Sequence, residues 1–296
     1  MKVALLGIGR LGGAIAERLQ VCGHQVTAWN RTGWKAAALR PLGITVATTA
    51  AEAIGASDIV LTLLADAEAI SRVLLSPAAG ASLGGRTLIQ MGTIGPEESR
   101  GLGNQMIQRG ARYLEAPVLG SLAEARAGTL LVMAGGPPEL FADCLPLLRH
   151  LGREPQRIGP VGHGAALKLA LNQLIAAEIA AFALSLGLVQ RAGIPVETFM
   201  ATLKASALFA PTFEKKLPRL LARDYAHPNF STQHLLKDVD LILHEARSKE
   251  GLETGALAAL RPLLERTIAA GHGPSDYSAV FEAIAPTVSS SKVPDR

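Results

Sequence analysis

At 296 residues, 49% of them hydrophobic and 18% charged, the chain is long enough for two domains and too apolar to remain disordered. Its formal charge of +4 is mild and spread out, which favours anionic small ligands and excludes a nucleic-acid footprint. Cys22 and Cys144 are too few for a disulfide framework, and the long apolar runs are broken or carry Lys, Asn and Glu. Because Lys2 precedes a strand and not an apolar leader helix, a soluble, cytoplasmic protein with no membrane or nucleic-acid partner is expected.

The first element is an apolar strand, Val3 to Leu6, running directly into Gly7-x-Gly9-x-x-Gly12. A helix follows at once, with Ala14, Ile15 and Leu19 on its apolar face. In that order the glycines form a dinucleotide-binding fingerprint. Gly7 allows the tight turn, Gly9 lets backbone approach a pyrophosphate, and Gly12 lets helix and strand lie close. Ile8, Arg10 and Leu11 line the same turn, and the helix N-terminus offers N–H groups and a positive dipole end. The second strand, Gln25 to Trp29, ends at Asn30-Arg31-Thr32. NAD-specific sites place Asp or Glu here to accept from the ribose 2′-hydroxyl. This chain has Asn30, then Arg31, the Thr32 hydroxyl and Lys35, a set suited to a 2′-phosphate and therefore to NADP(H). The same residues also read as an ordinary polar turn.

Further strands are expected at Ile59–Leu64, with Leu64 and Ala65 at its end, and at Thr87–Met91, with Gly92 and Thr93 just beyond. Tyr113–Val118 leads into a loop at Gly120, and Leu130–Ala134 and Pro155–Ile158 close the series. Strands alternating with helical segments make a parallel sheet with crossover helices, whose ligands sit beyond the carboxyl ends of the strands. After Gly159 only helical periodicity remains, beginning with one long helix from Ala165 to Arg191. Shorter helices are expected at 196–207, 212–222, 232–248, 257–270 and 277–284. The expected fold is α/β: an N-terminal Rossmann domain (1–160) with a doubly wound parallel sheet, and an all-α C-terminal domain (161–288). A long interdomain helix joins them, the site lies in the cleft, and 289–296 is a flexible tail.

The long helix is apolar or small nearly throughout and reads as buried nearly all round, which makes Lys168 and Asn172 conspicuous. At i, i+4 they point from one face toward the same place. Desolvation and a neighbouring nicotinamide cation lower a lysine's pKa, so Lys168 suits proton exchange with a carbonyl or alcohol oxygen, positioned by Asn172. From spacing alone Lys168 also reads as a lysine reaching water from the helix end near Gly164. Farther on, Lys237-Asp238 interrupts the apolar stripe Leu235, Leu236, Val239 and Leu243. Adjacent residues diverge on a helix, so a mutual ion pair is not expected; the two read either as the helix's solvated side or as a lysine reaching the cofactor with an aspartate bracing the interdomain contact, the first being favoured.

The ordered set GIGRLG, WNRT, LLAD, MGTI, EAPVLGS, GHGAALKLALNQL and FSTQHLLKDVDL resembles the β-hydroxyacid dehydrogenase family over roughly Lys2 to Ala285. That family includes 3-hydroxyisobutyrate dehydrogenases and glyoxylate/succinic semialdehyde reductases. The resemblance implies that Lys168 is the catalytic lysine, with Asn172 one turn on, and that Thr93 lies near the nicotinamide ribose. It implies that Lys237 lies over the cofactor with Asp238 beside it, and that Gly120 and Ser121 hold the substrate carboxylate through backbone N–H groups. Two positions depart from the pattern. Leu119 stands where many members have serine, and Gly92 precedes Thr93 where Ser-Thr is common, so an exact substrate does not transfer.

The reading is NADPH-dependent, reversible reduction of a small aldehyde or keto acid, glyoxylate or succinic semialdehyde foremost, to its hydroxy acid. No metal is expected, since no ligand set is visible. A homodimer or homotetramer is expected from the apolar helical domain. Imine reduction is an alternative, favoured by Leu119 and opposed by Lys168, which related imine-reducing sequences lack. A non-catalytic NADP-binding sensor is another, opposed by the joint presence of Lys168, Asn172 and Lys237.

Overall fold

The computed structural model describes residues 1–248 and 252–287; the expected tail at 289–296 lies outside the described residues. The chain divides into two compact units, Met1–Ala170 and a second beginning at Leu171.

The first unit alternates strands and helices: β1 (Lys2–Leu6), α1 (Arg10–Val21), β2 (Gln25–Trp29), α2 (Gly33–Ala37), β3 (Thr45–Val46), α3 (Ala50–Gly55), β4 (Ile59–Thr62), α4 (Ala67–Leu74), α5 (Pro77–Ala81), β5 (Thr87–Gln90), α6 (Pro96–Gln108), β6 (Arg112–Glu115), β7 (Val118–Leu119), α7 (Leu122–Ala127), β8 (Leu131–Gly135), α8 (Pro138–Leu151) and β9 (Gln156–Gly159). Neighbours run β3-β2-β1-β4-β5-β6-β8-β7, with β9 beside β8. Every pair from β3 to β6 is parallel, as expected. β8 runs antiparallel to β6 and β7, so the sheet is mixed at one edge, a common addition to a doubly wound sheet.

The strands read as unbroken apolar runs because both faces are covered. Val3 and Leu5 of β1 pack with α1 and α8 through Ile15, Leu19 and Leu147. Ala4 and Leu6 point the other way and pack with α3, α4 and α6 through Ile54, Ile70 and Met106. The strand period of two sends alternate side chains into two cores.

One polar contact stands apart from these cores. His24 is buried between α1 and β2, with Nε2 2.7 Å from Nδ1 of His150 on α8. Burial, then the N-terminal amine, then His150 lower its pKa. The folded state therefore favours neutral His24, and this stability is present above the ordinary value of 6.5 and lost as pH falls through the lowered one. Thermal stability should decline with acidification below about pH 6.5, and His24→Gln should flatten that decline; an unchanged slope would place the titration elsewhere.

α9 (His163–Arg191) begins in the first unit and continues into the second. The second unit adds α10 (Val196–Lys204), α11 (Pro211–Ala222), α12 (Thr232–Ser248), α13 (Gly255–Ala258), α14 (Leu260–Thr267) and α15 (Val280–Ile284). Gly271, at φ +94°, breaks the helical run expected through residue 270. The core of this unit takes Ile179, Phe182 and Leu186 from α9, Leu235 and Val239 from α12, and Phe281 from α15. Phe182 stacks on Phe213 at 4.7 Å between ring centroids.

α9 is not buried nearly all round, contrary to the expectation. Ala170, Leu174, Ala181, Leu184 and Leu188 are exposed and Ala177 partly so. Their 4-3-4-3-4 spacing leaves an uncharged stripe along one side, because the opposite side alone supplies the core. By length and composition this helix is also apolar enough to cross a membrane. Its buried Lys168 and Asn172, and the core residues it supplies, fit the interior helix of a globular fold better.

Candidate active site

The turn after β1 has the shape the glycines require. Gly7 adopts φ +107° and runs so close to β4 that a side-chain carbon would lie 2.4 Å from the Leu63 carbonyl oxygen. A carbon on Gly12 would lie 2.1 Å from the Gly7 oxygen, whereas the space over Gly9 is open. Gly9 opens α1 with no side chain capping it and no acid in the first turn. This is a cradle for a pyrophosphate at a helix N-terminus, and it fits a dinucleotide. Arg10 is exposed, Leu11 half-buried and Ile8 buried.

Asn30 takes a bracing role here. Its Oδ1 accepts the Ile8 N–H at 3.0 Å and its Nδ2 donates to the Thr32 carbonyl at 3.0 Å, tying the glycine turn to the end of β2. Arg31, Thr32 and Lys35 are exposed there, beside a Trp34 that is 71% exposed with the Lys35 ammonium 5.7 Å from its ring centroid. This exposed aromatic beside a cation is a feature of the loop that the glycine motif does not reveal.

Leu64 and Ala65 follow β4, where Asp66 caps α4 through the Ala69 N–H at 2.7 Å. Thr93 is half-buried after β5. The preceding Gly92 has a packing reason: a side-chain carbon there would lie 2.8 Å from the Leu64 carbonyl oxygen. A serine would force these two loops apart, so its absence follows from their close approach. Leu119 is half-buried at the end of β7 and Gly120 is exposed at φ +143°. Ser121 caps α7, its N–H donating to Glu124 at 2.8 Å and its hydroxyl to the same carboxylate. The Ser121 N–H is thus engaged within the protein, and of the two backbone donors singled out Gly120 is the more exposed.

Glu115 opens the EAPVLGS motif but is given no role by it, although a carboxylate inside the apolar run Tyr113–Val118 is itself a signal. It is 0% exposed. One oxygen accepts the N–H groups of Gly162 and Gly164 at 2.8 Å and of Ala165 at 3.3 Å, which open α9. The other accepts from the Ser99 hydroxyl, itself 2.8 Å from the Tyr113 hydroxyl. Burial pushes the Glu115 carboxyl up, and Ser99 and the helix N–H groups offset part of that.

Lys168 follows on α9, only 8% exposed, so the lysine does not reach open water from the helix end. It belongs to the same compact unit as the phosphate cradle. A buried ammonium requires a partner or a task.

In the second unit, Asn172 is 1% exposed and donates from Nδ2 to Asp238 Oδ2 at 2.6 Å. A carboxylate only accepts, so this bond orients the amide, and Oδ1 is left buried with no hydrogen bond among the described residues. Lys237 Nζ lies 2.9 Å from Asp238 Oδ1, close enough for an ion pair although without hydrogen-bond alignment. Both expectations for this pair are corrected. Asp238 is 1% exposed and not solvated, and the flexible lysine stem folds back to reach its neighbour. Burial and the Lys237 charge hold nearby His234 below the usual histidine range.

Residues 2–162 match the family described as the NAD binding domain of 6-phosphogluconate dehydrogenase. Residues 162–284 match that described as the NAD-binding domain of NADP-dependent 3-hydroxyisobutyrate dehydrogenase. Glyoxylate/succinic semialdehyde reductase 1 of Arabidopsis thaliana is 30% identical over 286 residues, 96% of this chain and 98% of that protein. The cytokine-like nuclear factor N-PAC of Xenopus tropicalis is also 30% identical, over 95% of this chain, which spans about half (53%) of that longer protein. A crystal structure of 3-hydroxyisobutyrate dehydrogenase from Salmonella typhimurium shares the fold at TM-score 0.85 and 24% identity, over 95% of this chain and 98% of that one.

Proposed function

The chain belongs to the β-hydroxyacid dehydrogenase family of NAD(P)-dependent oxidoreductases, and we propose that within it the protein is an NADPH-dependent reductase of a small aldehyde or keto acid. Glyoxylate and succinic semialdehyde are the leading substrates, each reduced reversibly to its hydroxy acid. The observation that carries this reading is the burial of Lys168 on α9, in the same compact unit as the phosphate cradle.

The bound cofactor supplies a hydride from its nicotinamide C4. Lys168 donates the proton to the substrate oxygen in reduction and removes it in oxidation. Asn172, its amide held by Asp238, keeps Lys168 or the substrate in position for that exchange. Lys237 contributes positive charge toward the cofactor. Leu119, Gly120 and Ser121 form the loop that receives the carboxylate, with Leu119 making it more apolar than a serine would. Thr93, Leu64 and Ala65 line the cofactor's path from the turn after β1. Residues 1–160 act as the NADP-binding domain and 161–288 as the substrate and dimerisation domain.

NADP(H) is preferred because the end of β2 carries exposed cations and an internally bonded amide where a carboxylate would repel a 2′-phosphate. Losing a charge-assisted bond to phosphate costs about 1.5–3 kcal/mol, so Arg31→Ala should raise the KM for NADPH roughly 10-fold or more. The KM for NADH should change little; equal weakening of both would make Arg31 a general positioning residue.

The uncharged stripe on α9 supports self-association as a homodimer or homotetramer, and a monomeric mass in sedimentation equilibrium would remove that part. A cytoplasmic location accords with two unpaired cysteines.

The deciding experiment is steady-state turnover with NADPH across short aldehydes, keto acids and cyclic imines. Activity on aldehydes or keto acids is expected. Activity confined to imines, or none with tight NADPH binding, would replace the reading with imine reduction or with a non-catalytic sensor.

A further inference from the structure

We propose that Glu115 is a positioning residue for the reaction: its buried carboxylate clamps the first turn of α9 and so sets where Lys168 presents its ammonium. The inference rests on Lys168 being the proton donor.

α9 has no acidic residue in its own first turn. The negative charge that a helix N-terminus favours comes instead from the end of β6, 47 to 50 residues earlier in the chain. Glu115 is itself held from the far side. Ser99 on α6 and Tyr113 on β6 are buried and complete the chain of hydroxyls behind the carboxylate. The carboxylate therefore has little freedom to swing, and the helix N–H groups bonded to it have as little.

Ala165 is the last of the clamped groups and Lys168 comes three residues later. That is under one turn, a rise of about 4.5 Å, so a slip or rotation of the first turn reaches the lysine undiminished. A displacement of about 1 Å is enough to cost a reaction much of its rate. Glu115 also stands five residues before Gly120, so one side chain links the candidate carboxylate loop to the helix bearing the lysine. Stability alone does not explain it. Buried charges are weak contributors to stability compared with well-packed apolar residues.

The test compares Glu115→Ala, Glu115→Gln and Ser99→Ala, with Lys168→Ala as background, on the whole chain well below each melting temperature. Glu115→Ala should lower kcat roughly 10- to 100-fold while the KM for NADPH stays within about 3-fold. Glu115→Gln should restore kcat to within about 3-fold, because its amide oxygen accepts the same helix N–H groups while its NH2 donates to Ser99. In the Lys168→Ala background, Glu115→Ala should add less than about 3-fold, since two residues acting through one step are not additive.

An unchanged kcat in Glu115→Ala would reduce Glu115 to a stabilising contact and overturn the proposal. The same loss recurring without Lys168 would also overturn it, leaving the role of Lys168 intact. Full activity of Lys168→Ala by itself would instead remove the proton-donor reading, and the clamp's purpose with it. If Glu115→Ala does not fold, Ser99→Ala decides. It should lower kcat roughly 3- to 10-fold with unaltered NADPH binding, and no change would sink the idea.

Discussion

Lys168→Ala should lower kcat about 100-fold or more and leave NADPH affinity within about 3-fold, the usual scale for losing a general acid. A 100-fold loss corresponds to about 2.7 kcal/mol of transition-state stabilisation. The residue is 8% exposed, so little water is at hand to replace it as a proton source. kcat and kcat/KM should fall together, because the interaction is made only as charge develops on the substrate oxygen. Lys168→Arg separates charge from proton transfer. Arginine keeps the cation but holds its proton far above neutral pH, so turnover should stay as low as in Lys168→Ala. Retention of a third or more of the activity in Lys168→Ala would assign the proton to another group.

The largest stability effect is expected at a contact that no motif marks. Lys216 on α11 is 6% exposed and its ammonium lies 2.7 and 2.8 Å from the two oxygens of Asp276, which is 0% exposed. Asp276 also caps the turn Tyr277–Ala279, accepting from the Ser278 N–H at 3.1 Å and hydroxyl at 2.7 Å, and the ammonium sits 4.1 Å from the Tyr277 ring centroid. Burial lowers the Lys216 pKa, and Asp276 offsets only part of that shift. Lys216→Met removes the cation and strands a buried carboxylate, which should cost about 3–5 kcal/mol. The melting temperature should then fall by roughly 10 °C. Adding Asp276→Asn should recover part of the loss, because breaking a buried pair costs more than removing both charges. A shift below about 1 kcal/mol would mean that water already reaches the carboxylate.

These two expectations differ in how far a linear reading of the chain reaches. Lys168 stands out because one cation interrupts a long apolar periodicity, and the resemblance places the same lysine in the reaction. The Lys216–Asp276 pair joins positions 60 residues apart, with nothing in either local pattern to connect them. Glu115 lies between these cases. A carboxylate among Tyr113, Leu114, Ala116 and Val118 announces a buried acid, but its three N–H donors come from the start of α9 and the residue just before it, 47 to 50 residues later. Lys237 and Asp238 show the reverse failure: helix geometry sends neighbours apart, while burial of Asp238 draws the lysine back to it.

The amino-acid sequence by itself determined the parallel run of strands, the glycine turn after β1, the long α9 and the helices beyond it. Those features rest on apolar period, on glycine where backbone must approach backbone, and on the spacing of a few polar side chains, all local along the chain. Only the tertiary structure decided the antiparallel edge at β8, the exposed stripe on α9, the cap that Glu115 provides and the amide orientation of Asn172. Each depends on which distant segment is brought close enough to desolvate a charge or supply its hydrogen bonds, and a local pattern does not carry that information.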